Sequence, residues 1–276
     1  MLKVTKPLHQ RELVIINVGA NTSHSGLYSP LYEDGTFSFM PLPEEGDEVD
    51  PKRDLYPGCP TLPTFTEFLG SSKLTQCFSK KYLAKTVHDD PEFVTFTYGD
   101  NPDTIAKSKA SNLRKHLKKC GDLLFFFAGL TAVKSKPERD YNFYFIGFFE
   151  IDGTLPSVNG TPTKDELKLF GRNAHIKRGH ADFDFFNSFW VWKGSSNSQL
   201  FRKAVLFDKK LGEKILLSSS WKPYTWPNDK TSARLLGSRT RTSRWLRDEQ
   251  RKRILLQQVI NAGNDVPLFR RLLESD

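Results

Sequence analysis

The feature that most constrains the fold is a short run of aromatic and aliphatic residues between two turn signals. Residues 122–130 read DLLFFFAGL, with Gly121 before the run and Gly129 near its end. A run this short and this rich in Phe is typical of a strand that is buried on both faces. A glycine placed after a helical pattern also favours a helix that stops just before the strand. The sequence therefore predicts a fold organised around this strand.

Flanking patterns predict both helices and further strands. The aromatic stretch from Tyr141 to Ile151 predicts a strand that pairs with the first as an antiparallel hairpin, and Gly147 within it favours a bulge or a close approach. Residues 12–18, ELVIINV, predict another strand. A helix is predicted from Asn101 to Gly121, because its apolar residues recur on one face and Lys and Arg cover the others. The expected fold class is α+β, with an aromatic-rich, curved, mixed sheet and flanking basic helices.

The distribution of charge favours a polyanionic partner. The chain has a formal net charge of +9, and the segment from Lys222 to Arg253 holds ten Lys or Arg and three Asp or Glu. Trp221, Trp226 and Trp245 are interleaved with these charges. Cations mixed with rings suit a nucleic acid whose bases can stack, whereas the alternative is a solvated basic surface. We expect an α+β domain over residues 1–220 and a basic segment over 221–276 packed on it, or one single domain.

Several protein classes lack support in the sequence. No run approaches the roughly 20 apolar residues of a membrane helix, and the N-terminus has no apolar signal core. The three cysteines show neither metal-ligand spacing nor even pairing, which favours reduced thiols in a cytoplasm. No HExxH, CxxC or dinucleotide fingerprint is present. We therefore expect a cytoplasmic protein with no membrane partner and no cofactor, and its oligomeric state stays open.

One cluster of ionisable residues precedes a predicted strand. His88, Asp89 and Asp90 place an imidazole and two carboxylates in consecutive positions before Pro91. These groups can form a general acid/base pair or half of a metal site. Metal is the minority interpretation, because no second motif stands at ligand spacing. The alternative is a turn at the strand entry that is capped by aspartate side chains.

A second polar cluster lies at residues 171–180, GRNAHIKRGH. Asn173 can read a base edge, His175 can hydrogen-bond or transfer a proton, and Arg178 can hold a phosphate. The alternative is a basic loop in which His175 and His180 merely face water. We predict that His88, Asp90 and His175 are the catalytic residues.

Two small-residue segments are candidate phosphate sites. Residues 19–26, GANTSHSG, follow a predicted strand and can present backbone N–H groups to a phosphate, although a plain polar turn is the alternative. Residues 194–196 form a Gly-Ser-Ser turn before a short helix predicted from Gln199 to Lys203. The predicted base- or nucleotide-binding residues are Asn21, Thr22, Ser23, His24, Tyr98, Asn173, Arg178 and Ser195. The predicted contacts with a nucleic-acid backbone are Lys115, Arg241, Arg244 and Arg247.

Seven stretches carry a family resemblance. In order, between about residues 13 and 207, they are VIINVGANTSHSG, EDGTFSFMPLPE, HDDPEFVTFTYGD, LRKHLKKCGDLLFFFAGL, FYFIGFFEI, NAHIKR and KGSSNSQLFRKAVLF. Together they resemble the third class of nucleotide-modification-associated domains, which are described as DNA base hypermodification proteins. The resemblance implies a role in making, processing or recognising modified nucleotides in DNA, and it does not specify a reaction.

A local resemblance adds an expectation about the pocket. The basic helix, Gly121-Asp122 and the aromatic strand look like the small base-binding barrels of the PUA, ASCH and EVE kinds. This implies a partly open PUA-like barrel as an alternative to the curved sheet, with an aromatic pocket that holds one extruded base.

Three hypotheses follow. The first is an enzyme that modifies a base or nucleotide, with His88 or His175 transferring a proton, Asp90 as the partner carboxylate, and Asn21 or Asn173 orienting the base. The second is a reader of modified DNA that uses the same pocket without chemistry, or of RNA, although DNA is favoured. The third is a structural α+β protein whose aromatic strands simply form the core.

Overall fold

The computed structural model describes residues 6–19, 27–43, 63–70, 80–100, 109–133, 141–155, 163–181, 189–216 and 243–275. The described strands are β1 (Leu13–Asn17), β2 (Ser29–Leu31), β3 (Leu42–Pro43), β4 (Val87–His88), β5 (Thr97–Asp100), β6 (Leu123–Ala132), β7 (Tyr141–Leu155), β8 (Trp190–Gly194), β9 (Gln199–Leu206) and β10 (Arg244–Leu246). The described helices are α1 (Phe65–Leu69), α2 (Lys80–Leu83), α3 (Lys109–His116), α4 (Lys164–Phe170), α5 (Ala174–Ala181), α6 (Lys209–Ile215), α7 (Glu249–Asn261) and α8 (Pro267–Glu274). None of these helices has the length and hydropathy needed to cross a bilayer.

Eight of the described strands form one mixed sheet. Its order is β10-β1-β6-β7-β8-β5, with β2 paired to β6 and β9 paired to β7. The pairing of β1 with β6 is parallel, whereas β6 and β7 are antiparallel. The sheet is open rather than closed into a barrel, and β3 and β4 form a separate pair. The fold is α+β, as the sequence predicts.

The central strands bury their side chains on both faces. On one face, Leu123, Phe125 and Phe127 of β6 pack with α6, α7 and α8, and we call this the α8 face. On the other, which we call the α3 face, Leu124 and Phe126 pack with α3. Each of these five side chains is at most 2% exposed. This confirms the prediction of a strand that is buried on both faces.

The predicted hairpin of the two aromatic strands is also confirmed. The register of β6 and β7 shifts between Phe126, which faces Gly147, and Phe127, which faces Phe145. A Cβ on Gly147 would stand 2.7 Å from the carbonyl oxygen of Gln199 and 2.7 Å from the ring of Phe93. Both the bulge and the close approach expected at this glycine are therefore present.

Residues 199–203, predicted as a short helix, are instead part of strand β9. This strand pairs antiparallel with β7, and Val205 lies opposite Phe145. Phe201 and Val205 are buried on the α8 face. The ladder to β7 and this burial override the local helical pattern.

The long C-terminal helix begins only after a short strand. The pattern of residues 242–261 predicts a helix capped by Thr242 or Ser243, but residues 244–246 pair with β1 as strand β10. The carboxylate of Asp248 accepts a hydrogen bond from the backbone N–H of Arg251 at 2.9 Å and caps α7. Both α7 and α8 pack in the same apolar cluster as β6.

A buried polar network closes one end of β6 and β7. Arg11 is 2% exposed, and its guanidinium donates to Glu150 Oε1 at 2.7 Å and to the carbonyl of Gly121 at 2.5 Å. The other oxygen of Glu150 accepts from Ser195 Oγ and from Asn197 Nδ2, both at 2.7 Å. The network links the segment before β1 to the turn that joins β8 and β9.

Candidate functional site

Two histidines and a buried aspartate converge at the edge of the sheet. His88 ends β4, Asp90 lies in the connection to β5, and His175 lies in the first turn of α5. The Nε2 atom of His175 is 3.4 Å from Asp90 Oδ2, and that of His88 is 4.0 Å from the same oxygen. The two imidazole rings meet edge to face with centroids 4.7 Å apart. The structure thus brings the three predicted catalytic residues together.

Backbone and amide groups hold the carboxylate of Asp90 in place. The N–H of Gly99, on edge strand β5, donates to Oδ1 at 3.0 Å and to Oδ2 at 3.2 Å. Asn173 Nδ2 donates to Oδ1 at 3.1 Å, and Asn173 Oδ1 accepts from the backbone N–H of His175 at 3.0 Å. Asn173, which is fully buried, therefore joins the carboxylate to the start of α5.

The helix α5 corrects one sequence interpretation. The alternative of a basic loop is wrong for residues 174–181, which are helical. The ring of His175 contacts Phe189 and His88 as well as Asp90. This histidine therefore does not merely face water.

Burial raises the pKa values of two adjacent carboxyl groups. The pKa of Asp90 rises to about 8 because the group is desolvated, although His88, the Gly99 N–H and Asn173 oppose this rise. Desolvation, with repulsion from Glu92, raises the pKa of Asp89 to about 7, against the attraction of Lys177. Carboxyl groups that keep a proton near neutral pH can serve as general acids. Such a group of perturbed carboxyls is typical of functional sites.

A buried glutamate orders the loop that precedes β5. The carboxylate of Glu92 accepts hydrogen bonds from the backbone N–H of Thr95 at 2.9 and 3.0 Å, from that of Val94 and from the Thr95 hydroxyl. Lys193 Nζ donates to the carbonyl of Thr95 at 2.6 Å. The sequence interpretation missed Glu92, whose only signal was an acidic residue between a proline and an aromatic strand.

The three converging side chains also have the donor atoms of a metal site. One nitrogen of each histidine and one oxygen of Asp90 all lie within 4.8 Å of one another. From the sequence a metal site was the minority interpretation, because only His88, Asp89 and Asp90 stood together. The third donor comes from α5, on a different segment.

Two predicted nucleotide-binding residues have other partners. Tyr98 is buried on the α3 face, where its hydroxyl donates to Asp100 Oδ2 at 3.0 Å. Burial raises the pKa of Tyr98 well above its usual range. Ser195 donates to Glu150 in the polar network. Asn21, Thr22, Ser23, His24 and Arg241, and the side chain of Arg178, lie outside the described residues.

The phenylalanine rings of β6 and β7 are core residues. On the α8 face the ring of Phe125 stacks on those of Phe148 and Phe269, with ring centroids 5.6 and 5.5 Å apart. Phe126 and Phe149 meet edge to face at 4.6 Å on the α3 face. These rings fill the interior, so an aromatic pocket would need rings from other segments.

Predicted backbone-contacting residues gather on one surface. The ring of His116 stacks on Trp245 with centroids 4.0 Å apart, and the Arg247 guanidinium lies 4.2 Å from the same indole. Burial lowers the pKa of His116, and the positive charges of Lys115, Arg247 and Lys118 lower it further, against the attraction of Glu12, which raises it. We call the side chains Lys115, His116, Lys118, Trp245 and Arg247 the basic surface. Arg244, on the same strand as Trp245, is half-buried.

Comparison with known proteins gives one match. A family model described as nucleotide modification associated domain 3 matches residues 12–262. The matched range includes His88, Asp90 and His175 and extends through the basic surface to the end of α7. No curated protein and no solved structure matched the chain.

Proposed function

Because the chain belongs to the nucleotide modification associated domain 3 family, we propose that it modifies a base of DNA at the site formed by His88, Asp90 and His175. The observation that carries this proposal is the convergence of these side chains from β4, the β4–β5 connection and α5 around one buried carboxylate. Proton transfer needs an acid and a base that face each other, and the two Nε2 atoms, at 3.4 and 4.0 Å from Asp90 Oδ2, provide such pairs in the loose geometry that is common in a site without substrate.

The proposed chemistry at this site is proton transfer to and from the nucleotide. A neutral imidazole Nε2 accepts a proton from the base, or from a group that attacks it, and becomes an imidazolium. Asp90 either stabilises that cation as a carboxylate or, in its protonated form, returns a proton to the product. Its raised pKa supports the second role. Asn173 positions both partners, since it contacts Asp90 and the backbone of His175.

The basic surface supports a polymer as the substrate. Arg247 lies over the stacked pair of His116 and Trp245, and the charges of Lys115 and Lys118 act on the same pair, against one carboxylate, Glu12, which accepts from the Trp245 indole. Cations beside stacked rings are a combination that suits single-stranded nucleic acids. We propose that this surface and Arg244 contact the phosphate backbone. The contact predicted for Arg241, which lies outside the described residues, remains part of this proposal. DNA is favoured over RNA because of the family's association with DNA base modification.

The alternative function is a reader of modified DNA or RNA that carries out no chemistry. The basic surface favours it, because cations around stacked rings can hold a nucleic acid without a catalytic group. In a reader, the histidines would contact a modified base by hydrogen bonds alone.

Mass spectrometry of nucleosides separates the two functions. Nucleosides are analysed from the DNA of cells that express the wild-type chain, His175→Ala, Asp90→Asn or His9→Ala. They are also analysed from DNA that has been incubated with each of these pure proteins. His9 is exposed and lies before β1, so His9→Ala controls for the loss of a histidine. We expect a new or depleted nucleoside with the wild type and His9→Ala only. Unchanged nucleosides in every sample, with tight and salt-sensitive DNA binding, would support the reader.

A further inference from the structure

We propose that His88, Asp90 and His175 bind a divalent first-row transition-metal ion, such as Zn²⁺, through three protein ligands. This inference deepens the proposed function, since it concerns the same side chains. Two imidazole nitrogens and one carboxylate oxygen are the ligand set of catalytic zinc sites and of mononuclear iron sites with open positions.

The distances between the donor atoms suit a single ion. Zinc–nitrogen and zinc–oxygen bonds of about 2.0–2.2 Å at tetrahedral angles place neighbouring ligand atoms about 3.3–3.5 Å apart. His175 Nε2 already lies 3.4 Å from Asp90 Oδ2, and His88 Nε2 lies 4.0 Å from it. All three donors are within 4.8 Å of one another. Small rotations of the two imidazole side chains would therefore bring all three donor atoms to the distances of a single ion.

The surroundings of Asp90 are those of an oriented ligand. Its side chain is 3% exposed, and the Gly99 N–H and Asn173 amide fix the carboxylate plane. Hydrogen bonds of this kind to a ligating carboxylate keep it aimed at the metal. The same nitrogen, Nε2, of both histidines is nearest Asp90 Oδ2.

The site is open to solvent from the histidine side. The side chains of His88 and His175 are 14% and 19% exposed, whereas Asp90 closes the inner side. An ion can therefore enter from solvent, and three protein ligands leave at least one position for water or for a nucleotide oxygen. With an ion bound, the imidazole Nε2 atoms would be ligands and could not accept a proton. A metal-bound water, whose pKa the ion would lower, would take over that role.

The test measures metal binding alone. Chelator-treated, desalted protein is titrated with ZnCl₂ by calorimetry, and with CoCl₂ by visible absorption. The variants are His88→Ala, Asp90→Asn and His175→Ala, with the exposed His9→Ala as the matched control. We expect one equivalent of Zn²⁺ with the wild type and His9→Ala, and at least a 10-fold loss of affinity in each ligand variant. Asn173→Ala, which removes a contact to the ligand, should weaken binding by about 10- to 100-fold.

Each outcome decides the proposal. Circular dichroism identifies any variant that does not fold. If His175→Ala does not fold, His175→Asn, which has a smaller polar side chain than histidine, takes its place. Equal affinity in the ligand variants and in His9→Ala would overturn the site, as would a thiolate-to-cobalt absorption band, which would assign binding to a cysteine such as the exposed Cys120. No binding of either ion to the wild type would also overturn it. Since no nucleoside is measured, loss of the metal proposal leaves base modification untouched, and the converse holds.

Discussion

The imidazole of His175 lies directly against the backbone of Gly99. A Cβ built on Gly99 would stand 2.4 Å from Cδ2 of His175 and 2.8 Å from Oδ1 of Asn173. Any side chain at position 99 would displace the imidazole of His175 or the amide of Asn173. The edge strand β5 can therefore support the site only because residue 99 has no side chain.

Replacement of Gly99 by alanine should displace His175 from Asp90. We expect the added methyl group to lower the free energy of unfolding by about 1–3 kcal/mol, the usual cost of overpacking. Base modification and zinc affinity should fall together, because both need His175 in place. Urea unfolding, calorimetry with Zn²⁺ and nucleoside analysis measure the three effects. Gly153→Ala is the control, since the nearest atom to its Cβ is 4.0 Å away; equal behaviour of the two variants would contradict this prediction.

The contribution of Asp90 to stability should fall as the pH rises from about 5 to 9. In the unfolded chain an aspartate loses its proton near pH 3.9, whereas in the folded chain Asp90 keeps it until about pH 8. Between these values the folded state holds one more proton, so each rise in pH lowers the free energy of unfolding. Asp89, with a pKa of about 7, adds a contribution of the same sign over a narrower range.

Asp90→Asn should flatten this pH profile. The variant has no proton to lose at position 90, so its stability relative to the wild type should rise by about 1 kcal/mol or more between pH 5 and 9. Urea denaturation at several pH values, without added metal, gives the profile. The exposed Asp152 on β7 provides the control variant Asp152→Asn. Parallel profiles for wild type and Asp90→Asn would show that Asp90 does not bind its proton tightly.

Local sequence patterns predicted the centre of the fold better than its edges. The phenylalanine run and Gly147 indicated β6, β7 and their bulge. Hydrophobicity and the lack of a side chain are properties of the residues themselves, so the sequence shows them directly. Residues 199–203 and 244–246 were both predicted to be helical, yet both pair with strands that are distant in the chain. A pairing between segments far apart in the chain leaves little local signal, so it was not predicted.

The candidate site was predicted residue by residue but not as an arrangement. His88, Asp90 and His175 were each singled out for their chemistry, but only the packing of α5 on β5 brings them together. Tyr98 and Ser195 were predicted to bind a nucleotide, which stays a prediction; the sequence did not show that their hydroxyl groups donate to Asp100 and Glu150. The role of Gly99 was missed for the same reason, since a close approach is visible only when both partners are placed.

Loss of Arg11 should destabilise the fold far more than the loss of a surface charge. Burial acts to raise the pKa of Glu150, but hydrogen bonds from Asn197, Ser195 and Arg11 outweigh it and hold the pKa below its usual value. Arg11→Met leaves this carboxylate without its cation, which should cost about 3–5 kcal/mol of unfolding free energy. The double variant Arg11→Met/Glu150→Met should recover part of that loss. Denaturant unfolding of the single and double variants tests this, and strictly additive losses would contradict a coupled pair.

Neutralising the basic surface should weaken DNA binding and reduce its salt dependence. Lys115→Ala and Arg247→Ala each remove one cation beside the His116–Trp245 stack, and each should lower the slope of log K against log salt by about 1 if it contacts a phosphate. Lys214→Ala makes a similar charge change on α6, an exposed position on the α8 face, and should leave the slope unchanged. Fluorescence anisotropy with labelled DNA at several salt concentrations gives the slopes of the three variants and of the wild type.

Because the basic surface and the His88–Asp90–His175 site share no residue, these variants should bind Zn²⁺ like the wild type. An equal loss of slope in Lys214→Ala would mean that net charge, rather than this surface, governs binding.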